Sequence, residues 1–108
     1  MKTRVVVTGL GVVSPIGIGV GPFWKAALEG RSGITALAPF GELPLDAYRS
    51  RVAGRVLDFD SVRFPDSLHA DRVDRYAQFA LAATNEAVAD AGLRMEQERP
   101  HRVGVVVG

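Results

Sequence analysis

The 108-residue chain has no cysteine, which excludes a disulfide framework, a thiolate metal site and a thiol nucleophile within these residues. It also lacks an excess of either charge: thirteen Lys and Arg stand against twelve Asp and Glu, for a net charge of +1. No overall field recommends nucleic acid or an anionic membrane as a partner, so any electrostatic recognition has to be local. Histidine is confined to His69 and His101, which are far apart and lack metal-ligand spacing. Neither has a visible nucleophile to activate, and both read as solvated surface residues. A long apolar run is missing as well. Met1–Arg4 is basic and apolar residues follow, which copies the outline of a secretory signal. Gly9, Gly11, Ser14, Pro15 and Gly17 interrupt that run too often for a spanning helix, which needs about 20 continuous apolar residues. A cytoplasmic protein is the simpler inference.

The composition that remains, 47% apolar and 23% charged, is ordinary for a globular protein, and the information lies in its order. Val5, Val6 and Val7 are consecutive β-branched residues without polar alternation, the pattern of a strand buried on both faces of a parallel sheet. Arg102 to Gly108 has the same character, and helical sequence between the two predicts a right-handed βαβ connection. Gly21 and Pro22 sit where an N-cap and a first helical residue would, Phe23, Trp24, Ala27 and Leu28 share one face, and Gly30 supplies a stop. Residues 35–66, rich in Pro, Gly and charge, read as an excursion from the sheet, with Val52, Gly54 and Val56 alternating as in an exposed strand. Val73, Tyr76, Ala77, Ala80, Leu81, Ala87, Val88 and Ala91 recur at three- and four-residue spacings up to Gly92, which predicts a long helix. Its alanine face would let a neighbouring element approach closely. Leu93 to His101 reads as a polar loop. The apolar segment Val103 to Val107 has nothing in the chain to cover its second face, so the rest of a sheet is expected from continued polypeptide or a companion fragment.

Few motifs point to chemistry. Gly9-x-Gly11 after a strand invites a dinucleotide-binding reading, but Ser14 occupies the third glycine position and no acidic residue closes a second strand. The glycines are better explained by positive φ or tight packing as the chain leaves the sheet. Ser14 and Thr8 have no oriented base and read as backbone-bonding hydroxyls in a turn. Asp71, Arg72, Asp74 and Arg75 form a mixed-charge start to the long helix, either a solvated surface with weak pairs or, through Arg72, part of a basic patch for an acidic partner.

The order strand, glycine turn and Ser-Pro across Arg4 to Gly17 resembles the opening of the β-ketoacyl-acyl carrier protein synthases, the condensing enzymes of fatty-acid and polyketide synthesis. The likeness continues through Phe23 to Ile34, Val52-Ala53-Gly54-Arg55-Val56 with Asp58-Phe59, Arg72 to Ala80 with Glu86-Ala87 and Asp90 to Leu93, and Arg102 to Gly108, all in the family's order. The resemblance implies the N-terminal part of a thiolase-like α/β fold, with α-β-α-β-α layers and parallel or mixed sheet strands between packing helices. Residues 1–108 would be the N-terminal segment of the ketosynthase N-terminal domain and not an independent domain.

It also implies decarboxylative Claisen condensation, in which an acyl group passes from carrier-protein phosphopantetheine to an active-site cysteine before condensing with malonyl-carrier protein. The family's catalytic cysteine, two histidines and lysine lie beyond Gly108, so no catalytic residue is expected here and the segment alone should be inactive. No metal or resident cofactor is expected; the phosphopantetheine arm comes with the acyl carrier protein. Arg72 matches a basic position that touches the carrier protein in some members, whereas two neighbouring basic positions fall on Leu68 and Asp71. The implied partners are acyl carrier protein, the remainder of the ketosynthase or a companion fragment, and a second subunit in a homodimer or heterodimer. The alternative is a non-catalytic, chain-length-factor-like subunit, distinguished by the residue at the nucleophile position.

Overall fold

The computed structural model describes residues 1–37, 45–60 and 72–108. His69, Leu68 and Asp71 lie outside the described residues. The glycine-rich turn forms the first element. Strands β1 (Val13–Ser14) and β2 (Gly17–Ile18) pair antiparallel, with Val13 opposite Ile18 and Ser14 opposite Gly17. Ser14 closes the hairpin by donating its hydroxyl to the Gly17 carbonyl at 2.9 Å and accepting from the Ile16 amide at 3.3 Å. That is the turn role expected of Ser14. Thr8 is exposed on the segment leading into it.

Helix α1 (Val20–Leu28) begins two residues before the sequence-based expectation, with Gly19 at the N-cap at φ 92°. An L side chain adopts that backbone angle with difficulty, so the glycine permits the hairpin to turn directly into the helix. Gly30, at φ 65°, ends α1 as expected. The Arg31 amide donates to Ala26 at 2.9 Å and the Gly30 amide to Ala27 at 3.1 Å, the two bonds of a Schellman stop. Helix α2 (Arg75–Asp90) ends the same way: Gly92 has φ 64°, the Leu93 amide donates to Val88 at 3.1 Å and that of Gly92 to Ala89 at 3.0 Å. Arg72 and Asp74 precede α2 and are not part of its first turn; Asp74 is the N-cap and makes no side-chain capping bond.

Strands β3 (Ile34–Ala36) and β4 (Val52–Gly54) pair antiparallel in the register Ile34 to Gly54, Thr35 to Ala53 and Ala36 to Val52. The expected exposed strand is therefore present as half of a hairpin. The hairpin β1–β2 rests on it through Pro15: a Cβ at Gly54 would lie 3.2 Å from the Pro15 ring and one at Gly33 2.5 Å from the Pro15 Cβ. The expected polar loop contains two short 3-10 turns, Met95–Gln97 and Pro100–Arg102.

The principal correction concerns the two valine segments. Val5–Val7 and Val103–Val107 form no strand, and the two sheets among the described residues are antiparallel pairs, not a parallel layer. Val103 is nevertheless extended, at φ −108° and ψ 129°. Sequence pattern selects the extended conformation and a preference for burial, but a strand exists only where a neighbour exchanges backbone hydrogen bonds, and neither segment has one here. Val106 is 99% exposed, while Ala26, at 2%, is the single buried hydrophobic residue among those described. The chain exposes 9334 Å², against about 5,800 Å² for a folded monomer of its mass. Its radius of gyration is 17.5 Å, against about 13 Å for a compact domain of this length.

Gly9 and Gly11 show tight packing without positive φ. A Cβ on Gly9 would collide with the Ala87 carbonyl and sit 2.7 Å from the Ala91 amide; one on Gly11 would collide with the Ala83 carbonyl. The alanine face of α2 accepts bare backbone at one-turn intervals, as its small side chains predict. Gly11→Ala should destabilise the protein by about 1–3 kcal/mol through overpacking. An unchanged urea midpoint would overturn that account of the glycine.

Candidate functional site

The groups that hold this scaffold together are two carboxylates on α2. Glu86 and Asp90 are one turn apart and face the segment that Gly9 and Gly11 bring close. Asp90 accepts from the Leu10 amide at 3.0 Å, and Glu86 accepts from the Val12 amide at 2.9 Å. The second Glu86 oxygen accepts from the Val20 amide at 2.7 Å. Val20 is the first residue of α1, so Glu86 caps a helix that has no side-chain cap of its own and places negative charge at its positive end. One side chain thus ties α2 to both the approach to β1 and the start of α1.

This geometry bears on the dinucleotide reading. A pyrophosphate would have to sit at the N-terminus of α1 and accept from amides such as that of Val20, where the Glu86 carboxylate already stands. An anion brought there would meet a like charge. The Gly9-x-Gly11 pattern serves helix packing, as its poor match to the nucleotide fingerprint indicates.

Arg72 is exposed just ahead of α2. Arg75, one helical turn's reach further on, is fixed by its surroundings. Its guanidinium donates to the Val56 carbonyl at 2.6 Å and lies 5.1 Å from the Phe79 ring centroid and 5.9 Å from that of Phe59. The two rings meet edge to face, 4.8 Å apart at 80°, a favoured aromatic arrangement. His101 is exposed in the turn Pro100–Arg102. Among the described residues no group of three His, Cys, Asp or Glu could hold a metal ion, and no helix is long and apolar enough to cross a membrane.

Sequence reasoning missed Glu86 and Asp90 as organising residues and Arg75 as an anchored cation. A signal for the first two was present: two acids at i and i+4 interleave with Ala83, Ala87 and Ala91 on the helix opposite the glycines. For Arg75 there was none, because Phe59 and Val56 reach it from a distant part of the chain.

The described residues thus form an α/β scaffold in which a glycine-bearing segment lies on an alanine-faced helix and leads into a hairpin and a short helix. The chain belongs to the β-ketoacyl synthase family: the family model described as "Beta-ketoacyl synthase, N-terminal domain" matches residues 2–108. It is 41% identical over 107 residues to 3-oxoacyl-[acyl-carrier-protein] synthase 2 of Vibrio harveyi, covering 99% of this chain and 25% of that protein. It is 38% identical to the protein of the same name from Synechocystis, again over 99% of this chain and 25% of the relative. Among solved structures, the one titled "The ishigamide ketosynthase/chain length factor" superposes with a TM-score of 0.66 at 35% identity, covering 84% of this chain and 22% of that one. The chain thus spans about a quarter of the length of the curated relatives it matches.

Glu86→Ala should remove two hydrogen bonds at one stroke, leaving the Val12 and Val20 amides without their acceptor. The expected cost is about 1–3 kcal/mol, with faster hydrogen exchange at those two amides than elsewhere in α1. Exchange that rises equally over the whole protein would count against a local cap.

Proposed function

We propose that this chain is the N-terminal segment of a β-ketoacyl-acyl carrier protein synthase, which elongates an acyl chain by decarboxylative Claisen condensation in fatty-acid or polyketide biosynthesis. The observation that supports this most is the family match over residues 2–108, joined to relatives more than a third identical across nearly the whole chain. In that reaction an active-site thiolate takes the acyl group from a carrier-protein thioester, malonyl-carrier protein loses CO2, and the resulting carbanion displaces the thiolate. Such chemistry needs a nucleophile and an oxyanion site. With no cysteine in the chain, the segment's part is scaffold: it supplies packing helices and a portion of the carrier-protein face.

The proposal includes the layered thiolase-like arrangement, in which Val5–Val7 and Val103–Val107 become paired sheet strands between helices. Their exposure, the large surface and the extended dimensions support a segment that does not fold as an independent domain. The complete protein is a cytoplasmic dimer that works with acyl carrier protein and no resident cofactor, the phosphopantetheine arm arriving with the carrier. A non-catalytic chain-length-factor-like subunit is the second reading, favoured by the ketosynthase/chain length factor likeness.

Two experiments test these statements. A cysteine at the family's nucleophile position, acylated by substrate or alkylated by an active-site inhibitor, marks a catalyst; another residue there marks the partner subunit. Arg72→Glu in the full-length protein should weaken carrier-protein binding about tenfold, the loss of a charge-assisted contact, and leave reaction with small thioester mimics intact. Equal loss of both would overturn a docking role for Arg72.

A further inference from the structure

We draw no further inference here: the strongest candidate, the cavity of about 440 Å³ lined by Asp58, Asp60 and Glu86 between the β1–β2 hairpin and α2, is an acidic cluster whose Glu86 belongs to the site already described, and no second observation points to a ligand there.

Discussion

The structure depends on how closely a bare extended backbone can lie against α2. Gly9 and Gly11 have no side chains, and Ala83, Ala87 and Ala91 carry only methyl groups, so the two backbones approach within reach of short acidic side chains. Only at that separation can Asp90 accept from Leu10 and Glu86 from Val12. Here the helix supplies side-chain oxygens to these backbone amides where a neighbouring strand would otherwise supply carbonyls. The second Glu86 oxygen then fixes the start of α1, which sets the direction in which the β1–β2 hairpin projects. Sterics and hydrogen bonding are coupled: adding a Cβ would push away the acceptors as well as crowd the helix.

From that hairpin the organisation spreads by contact. Pro15 at its tip lies over Gly33 and Gly54, and so places β3–β4. The chain leaving β4 carries Val56 and Phe59 to α2, where they engage Arg75. Membership of the β-ketoacyl synthase family gives this arrangement its context. The relatives are about four times as long as this chain, and the valines of both apolar segments are exposed. Their exposure is costly in water at roughly 25 cal/mol per Å² of apolar surface left uncovered.

Several elements were legible from sequence because their causes are local. Gly30 and Gly92 end their helices through left-handed backbone angles, and Ser14 closes its own turn. The start of α1 was less legible. Gly21 and Pro22 suggested a cap, but the cap is Gly19, because Glu86, 66 residues away along the chain, provides the acceptor for Val20. The valine strands illustrate the opposite error. Their pattern encodes burial between layers, yet a β-strand is a relation between two segments, and these segments have no neighbour among the described residues.

By itself, then, the sequence determined the family, the absence of a thiol nucleophile, the two helix stops, the long alanine-faced helix and the glycine turn. These follow from residue identity and short-range spacing. Tertiary structure alone decided that Glu86 and Asp90 bind backbone amides, that the glycines serve packing and not a phosphate, and that Arg75 is held by the Val56 carbonyl and the Phe59 and Phe79 rings. Hydrogen bonds and ring contacts depend on distances between residues remote in sequence, and those distances exist only once the chain has packed.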